Sequence, residues 1–260
     1  MTDTSLPAIF LSHGSPGLIL EEAPARDFLS GLGRTLGRPK AILCASAHWE
    51  TDEPALNRTE KPETIHDFFG FPRPLYEIRY AAPGAPDVAE TAARLLRTAD
   101  LAARLDPGHG LDHGAWAPLY LMYPDATIPV AQISVQTHRG PDHHIAVGRA
   151  LQPLRKEGVL ILASGAATHN LRDFGRYALN APAVAYASAF DTWLKDSIEN
   201  GRVDELADYR RRAPDAARNH PSDEHFLPLF VALGAGSAKG RQIHASFTYG
   251  VLSMAAYAFD

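Results

Sequence analysis

The chain has 260 residues, 45% of them hydrophobic, so a sizeable core is expected and disorder is not. The formal net charge is −5 and the Lys and Arg residues are scattered, which argues against nucleic acid as the main partner. The single cysteine, Cys44, cannot form an internal disulfide, and a thiolate zinc site needs more than one cysteine. No apolar run has the length of a membrane span and the N-terminus lacks a signal-peptide pattern, so a cytoplasmic protein without a membrane partner is expected.

Apolar strands alternate with helices along the chain. The predicted strands are residues 8–11, 41–46, 76–80, 128–135 and 159–163, and the predicted helices are residues 23–36, 86–98, 114–122, 142–156, 182–199 and 203–210. Ser222 is predicted to cap a helix whose first turn holds His225, and residues 250–259 fit a strand or a helix. This order predicts an α/β fold in a single domain over residues 1–260. Its central sheet would be largely parallel or mixed, with helices on both faces.

Five histidines stand in segments of small or turn-forming residues: His13, His48, His113, His169 and His225. Imidazole is both the commonest protein ligand for transition metals and the usual general base near neutral pH. His13 and His48 each follow a buried strand, and ligands gather outside the carboxyl ends of strands in open α/β sheets. We therefore predict that these two imidazoles share one crevice as metal ligands.

Spacing alone does not decide the roles of the other three histidines. His169 follows a third apolar strand through a Ser-Gly-Ala-Ala-Thr turn, and is either a ligand or a base. His113 opens a predicted helix, where it either contacts a substrate oxygen or simply caps the helix. His225 follows Asp223 and Glu224, and any of the three could bind a metal. The remaining histidines are interpreted as surface or structural groups, apart from His66, whose role is ambiguous.

Two common hydrolase patterns are missing from the sequence. The sequence has no His-Glu-x-x-His segment, which is typical of metalloproteases. It also has no Gly-x-Ser-x-Gly segment, which is typical of serine hydrolases.

Six segments hold these histidines and their neighbours: His13-Gly-Ser-Pro, Ser46-Ala-His48-Trp49, Thr64-Ile-His66-Asp67-Phe, Asp112-His113-Gly114-Ala-Trp116, His169-Asn170-Leu171 and His220-Pro-Ser-Asp-Glu-His225-Phe-Leu-Pro228. Together they resemble the class III extradiol ring-cleaving dioxygenases, and within them the 4,5-DOPA dioxygenase branch. They occur in the same order as in the family, and the resemblance runs from residue 7 to about residue 235.

The resemblance implies His13, His48 and His225 as metal ligands. Relatives outside this branch use a carboxylate as the third ligand, so Glu224 is the alternative to His225 in this chain. It implies His169 as the catalytic base and His113 as a contact to the substrate oxygen. The expected reaction is the opening of a catechol ring, DOPA-like or related, by O2 to a semialdehyde. Fe(II) is the expected cofactor for activity, and Zn(II) could occupy the site in purified protein.

The aromatic residues Trp49, Trp116 and Phe69 are candidates to pack around the substrate ring, and Arg73 or Arg79 could bind a substrate carboxylate.

Two other functions stay open at this point. One is a zinc-dependent hydrolase, and the other is a non-catalytic member of the same superfamily that binds metal or peptide. The sequence also leaves a homo-oligomer open.

Overall fold

The continuous apolar runs of the sequence form strands in the computed structural model, which describes residues 5–260. The strands are β1 (Ala8–Ser12), β2 (Ala41–Glu50), β3 (Ala55–Asn57), β4 (Arg104–Asp106), β5 (Val130–Val135), β6 (Val159–Gly165), β7 (Arg241–His244), β8 (Phe247–Thr248), β9 (Leu252–Ser253) and β10 (Ala256–Phe259). One sheet has the order β4-β3-β5-β2-β6-β1-β10-β7, while β8 and β9 pair separately. The pairs β1–β6, β2–β6, β2–β5 and β3–β4 are parallel, whereas β1–β10, β10–β7 and β3–β5 are antiparallel, so the sheet is mixed.

Helices cover both faces of this sheet. They are α1 (Pro24–Leu36), α2 (Arg73–Glu77), α3 (Pro86–Thr98), α4 (His113–Met122), α5 (Gly140–Leu151), α6 (Pro153–Lys156), α7 (Ala185–Glu199), α8 (Val203–Ala207), α9 (Tyr209–Arg212), α10 (Ala216–Asn219) and α11 (Leu227–Ala235), with short 3₁₀ turns at Pro16–Ile19 and Thr137–Arg139. Alternate residues of β1 enter different cores: Ala8 and Phe10 pack with α3, α5, α7 and α11, and Ile9 and Leu11 pack with α1 and α4. Burial on both faces explains why the strands are continuously apolar. Within residues 5–260, no helix combines the length and apolar character needed to cross a membrane.

The α/β class with a mixed sheet and helices on both faces is confirmed, but two local predictions are wrong. Residues 76–80 are not a strand, because Pro72 and Pro74 start the short helix α2, whose last two residues are Tyr76 and Glu77. The last helix begins at Leu227, not after Ser222, so His225 lies in a turn that precedes α11.

Three parallel strands end at one edge of the sheet. In register, Ser12 of β1 pairs with Gly165 of β6, and Ser46 of β2 pairs with Ser164. The chain reaches His13 and His169 after β1 and β6 respectively. β2 is longer than predicted and itself contains His48. The register of the β2–β5 pair shifts between Ala45 and Glu50. Irregularities of this kind, such as β-bulges, change the direction of side chains beside functional sites.

Candidate metal centre

Three imidazoles from separate segments converge at this edge. Nε2 of His48 lies 3.1 Å from Nε2 of His13 and 3.1 Å from Nε2 of His225. Two nitrogens bound to one metal ion at about 2.1 Å lie roughly 3.0–3.4 Å apart when the angle at the ion is about 90–110°. The spacing of the three nitrogens therefore fits a single ion.

The outer nitrogen of His13 faces a hydroxyl. Nδ1 of His13 lies 2.9 Å from Oγ of Ser164, and that hydroxyl donates its proton to the carbonyl oxygen of Gly114. Because the Ser164 proton is already committed, the hydroxyl oxygen accepts a hydrogen bond from Nδ1 of His13. This contact places the imidazole proton on Nδ1 and leaves a lone pair on Nε2.

The other two histidines follow the same pattern with carboxylates. Nδ1 of His48 lies 3.2 Å from Oδ2 of Asp67, and Nδ1 of His225 lies 3.0 Å from Oε1 of Glu224. An ionised carboxylate only accepts, so each ring carries its proton on Nδ1. With His13, three unprotonated Nε2 atoms then face one another. Their lone pairs repel unless a cation lies between them, so this donor set fits a divalent metal ion.

Burial keeps His13 and His225 neutral. It lowers the pKa of His13 and of His225 well below the usual value, and the neighbouring histidines lower both further. A neutral imidazole is the form that binds a metal ion.

His169 lies beside this group. Its ring stacks on the ring of His225, with centroids 3.5 Å apart and planes at 13°. Its Nδ1 is 3.9 Å from Oε1 of Glu224, and its backbone N–H donates to the carbonyl of Asn219 at 2.9 Å. Burial, followed by the nearby His220, lowers the pKa of His169 to about 3, so the ring is neutral near pH 7.

His169, Glu224 and His225 also place one ligand atom each within 4.8 Å of one another, as do His13, His48 and His113. We favour the His13, His48 and His225 group over both. In the first alternative Glu224 already accepts from Nδ1 of His225, so no ion is needed there. In the second, Nδ1 of His113 lies 3.0 Å from Oδ1 of Asp67, so a carboxylate already lies beside that nitrogen.

Asp67 connects two of the histidines. Its Oδ1 accepts from the backbone N–H of His113 at 2.9 Å and lies 3.0 Å from Nδ1 of that ring, while its Oδ2 faces His48. Burial raises the pKa of Asp67, but hydrogen bonds from His113 and His48 outweigh it and hold the pKa well below its usual range. Burial lowers the pKa of His113 despite this partner. No role for Asp67 is predicted from the sequence. The feature that could have indicated a role is an acidic residue in a Pro- and Phe-rich loop, away from any helix start.

A cavity of about 360 Å³ opens over the histidines and is lined by Phe68, Phe69 and Phe71 together with His113 and His169. This size is within the usual range for small-molecule sites.

The two tryptophans that were predicted to pack around the substrate ring lie outside the cavity, so their assignment is corrected. Trp49 stacks on His109, with centroids 3.8 Å apart, and Trp116 is fully buried and donates from Nε1 to the carbonyl of Ile65 at 2.8 Å. Neither is among the described residues that line the cavity. The phenylalanines of the loop before α2 take that place instead, and of the three predicted aromatic walls only Phe69 lines it.

Three other histidines have structural contacts. His144 accepts from the backbone N–H of Gln136 at 3.1 Å and donates from Nδ1 to the carbonyl of Gly140 at 2.7 Å. Nε2 of His220 lies 2.9 Å from the carbonyl of Ala167, and Nε2 of His66 lies 3.1 Å from that of Ile78. These contacts agree with the structural interpretation of His144 and His220 and give His66 a structural role.

Comparison with known proteins agrees with this geometry. Residues 7–260 match the model of the family described as LigB, the catalytic LigB subunit of aromatic ring-opening dioxygenase. The chain is 43% identical over 263 residues to a 4,5-DOPA dioxygenase extradiol of Beta vulgaris, covering 99% of this chain and 97% of the relative. A protein of the same description from Escherichia coli K12 is 40% identical over 90% of this chain and 87% of its own length.

A solved structure agrees as well. The crystal structure of an uncharacterized protein from Escherichia coli K12 superposes with a TM-score of 0.80 at 32% identity, covering 98% of this chain and 100% of that one. The predicted enzyme class, an extradiol oxidoreductase that opens aromatic rings with O2 and a metal cofactor, is confirmed by the family. The chain belongs to the LigB family of aromatic ring-opening dioxygenases.

Proposed function

We propose that His13, His48 and His225 hold Fe(II), and that the enzyme opens the ring of a catechol that carries a side chain, the class to which the DOPA in its relatives' names belongs. The observation that supports this most is the convergence of three Nε2 atoms whose rings keep their protons on the outer nitrogens. Bound Fe(II) would supply the redox chemistry that O2 needs, which Zn(II) lacks.

We assign His169 as the base. Its neutral ring lines the cavity and is held by the Asn219 carbonyl and the stack on His225. It would take a proton from a catechol hydroxyl and return it as the ring opens. His113, whose Nδ1 is held by Asp67, would offer its other ring nitrogen to a substrate oxygen. The phenylalanines at the cavity mouth would keep bulk water from the bound diol.

Glu224 is then a positioning residue and His225 is the third ligand. The carboxylate of Glu224 meets Nδ1 of His225, on the side of the ring away from the converging Nε2 atoms. We expect His225→Ala to lose the metal, while Glu224→Ala keeps it with reduced affinity. Loss of the metal from Glu224→Ala alone would reverse the two roles.

The test of the function is anaerobic reconstitution with Fe(II), followed by oxygen uptake and the appearance of a yellow semialdehyde with a set of catechols. We expect His169→Ala to keep its iron and lose at least 100-fold in kcat, since general base catalysis contributes about 10²–10⁴-fold. Zn(II)-loaded protein should bind catechols without consuming oxygen. Zinc-dependent hydrolysis without oxygen uptake with any diol would instead favour a hydrolase.

Three points stay predictions: the cytoplasmic location, the lack of nucleic-acid and membrane partners, and the homo-oligomer.

A further inference from the structure

His169 is carried by an irregular segment of the chain. β6 ends at Gly165 and α7 begins at Ala185, and the described residues between them, 166–184, form no helix or strand. A segment of this kind lacks the regular backbone hydrogen bonds that fix a residue in a strand or a helix. The place of His169 beside the cavity therefore depends on the side-chain contacts of its neighbours.

Asp173 lies in this segment at the centre of a hydrogen-bond network, and only 7% of it is exposed. Its Oδ2 accepts from the hydroxyl of Tyr186 at 2.9 Å and from the amide of Asn170 at 3.2 Å. The same oxygen lies 3.3 Å from Nη2 of Arg218, and Oδ1 lies 2.9 Å from Nη1 of Arg176. One carboxylate thus has four partners from the segment itself, α7 and α10.

The network fixes the residue that follows His169 in the chain. Asn170 donates from Nδ2 to Asp173 and, at 3.1 Å, to the hydroxyl oxygen of Tyr186, while its Oδ1 accepts from the backbone N–H of Arg172 at 3.1 Å. Burial, followed by the hydrogen bond to Asp173, raises the pKa of Tyr186 to about 12, so the hydroxyl keeps its proton and donates it. The side-chain amide of Asn170 therefore has a single favourable orientation.

Helix α10 contacts the same segment through two consecutive residues. The guanidinium of Arg218 lies over the ring of Tyr186, 3.7 Å from its centroid, as well as beside Asp173. The next residue, Asn219, accepts the backbone N–H of His169 at 2.9 Å and donates from Nδ2 to the carbonyl of Tyr186 at 3.2 Å. The backbone contact of His169 and the contacts of Asp173 therefore depend on the same helix.

We propose that Asp173 is a positioning residue for His169, which holds the base in place through Asn170 and α10. The proposal rests on the function proposed above and deepens it by naming the group on which the orientation of the base depends. A base must reach the proton that it takes, and a displacement of about 1 Å can cost roughly 100-fold in rate. Asp173 is not among the described residues that line the cavity, so its role is indirect.

Asp173→Asn is the first test, on the Fe(II)-loaded enzyme with DOPA as the catechol. The amide keeps the shape of the side chain but has neither the charge nor the second acceptor oxygen of the carboxylate. We expect kcat to fall about tenfold through displacement of the base, with less change in KM. The affinity for Zn(II) should stay that of the wild type. A variant that raises KM and keeps kcat would show that the carboxylate only shapes the cavity wall, and would overturn the proposal.

A second variant and a control complete this test. Tyr186→Phe removes only the hydroxyl that donates to Asp173 and should also lower kcat, so it serves if Asp173→Asn does not fold. Asp208→Asn is the matched control, because its carboxylate also pairs with two arginines but lies outside the cavity lining, and it should keep the wild-type kcat. Wild-type kcat in both Asp173→Asn and Tyr186→Phe would contradict the proposal.

A double-mutant cycle separates positioning of the base from a general structural effect. If Asp173 acts through His169, Asp173→Asn should have no further effect on kcat in the His169→Ala background. An equal loss of kcat in both backgrounds would show that the carboxylate acts independently of the base, and the proposal would fail.

Hydrogen exchange gives a measurement that does not depend on turnover. The backbone N–H of His169 is protected only while its bond to Asn219 is kept. In Zn(II)-loaded Asp173→Asn we expect this amide to exchange faster than in the wild type. The N–H of His13, bonded to the carbonyl of Gly165 at 3.0 Å, should not change.

The exchange rates also distinguish the two ways of failing. Unchanged exchange at His169, or faster exchange at both His169 and His13, would contradict the positioning role. If the wild type consumes no oxygen with any catechol, the proposed function fails, but the exchange rate of the His169 amide still decides whether Asp173 holds this segment.

Discussion

Two carboxylates each join one proposed metal ligand to one proposed catalytic histidine. Asp67 lies between His48 and His113, and Glu224 lies between His225 and His169. Each carboxylate can therefore hold the tautomer of a ligand while its negative charge lies beside a catalytic histidine. Outer partners of this kind tune both metal affinity and reactivity.

Replacing Asp67 tests this arrangement. We expect Asp67→Asn to weaken metal binding about 10–100-fold, because an amide no longer holds the proton of His48 on Nδ1 as a carboxylate does. Competition with a chromophoric chelator measures the affinity for Zn(II) and Fe(II). Asp52→Asn, at an exposed position, is the control and should bind as the wild type does. Unchanged affinity in Asp67→Asn would limit its role to the orientation of His113.

His144 gives the protein an acid sensitivity that is separate from the metal centre. The residue is fully buried and both ring nitrogens are hydrogen-bonded in the neutral form. Burial lowers its pKa from 6.5 to about 4. Between these values the unfolded chain binds the proton and the folded chain does not, so the free energy of unfolding rises with pH in this window.

We therefore expect acidification from pH 6.5 to pH 4 to remove up to about 3 kcal/mol of stability through His144, at about 1.4 kcal/mol for each unit of the pKa difference. Urea unfolding of metal-free protein across this range measures the slope. His144→Gln should show a shallower slope than the wild type. Identical slopes would show that other groups account for the acid sensitivity.

At the scale of elements, the part of the site carried by strands could be predicted and the part carried by loops could not. Continuous apolar runs predicted β1, β2 and β6, and the rule that ligands gather at strand ends brought His13 and His48 together before any resemblance was used. The position of Asp67 depends on an irregular loop without periodicity, so its partners could not be predicted. Trp49 and Trp116 were misassigned because aromatic residues next to site histidines serve equally well in the core.

The packing of α5 against α11 depends on two glycines. A Cβ on Gly148 would collide with the backbone of α11 at Val231, and a Cβ on Gly234 would collide with the backbone of α5 at Ile145. Backbone atoms cannot move aside as a flexible side chain can. The close approach of these helices therefore requires glycine at both positions.

We expect Gly148→Ala to destabilise the fold by about 1–3 kcal/mol, the usual cost of overpacking. Gly31→Ala in α1 is the matched control, since its new methyl group would approach only the side chain of Arg34, at 3.8 Å. That change should stabilise the protein by up to about 1 kcal/mol through helix propensity. Chemical denaturation of both variants measures the difference, and equal stabilities would show that the two helices can separate without cost.

At the scale of the whole molecule, the proposed metal centre links distant parts of the chain. His13 follows β1, His48 lies in β2 and His225 precedes α11, so one ion would connect segments more than 200 residues apart in sequence. In the unfolded chain these segments are not held together, so its three imidazoles could bind one ion only at a much larger cost in free energy. Metal binding should therefore stabilise the folded state specifically.

Removal of the metal is the test at this scale. At a free metal concentration 100 times the Kd, the bound ion should add about 2.7 kcal/mol to the free energy of unfolding, and a chelator should remove this increment. Thermal unfolding of Zn(II)-loaded and chelator-treated protein measures the change without the complication of oxygen chemistry. His48→Ala removes the imidazole whose Nε2 contacts both other ligands, so its unfolding should not respond to Zn(II) at the same concentration. A wild-type protein that unfolds at the same temperature with and without Zn(II) would show that the three imidazoles do not hold an ion, because a ligand bound only by the folded state must raise its stability.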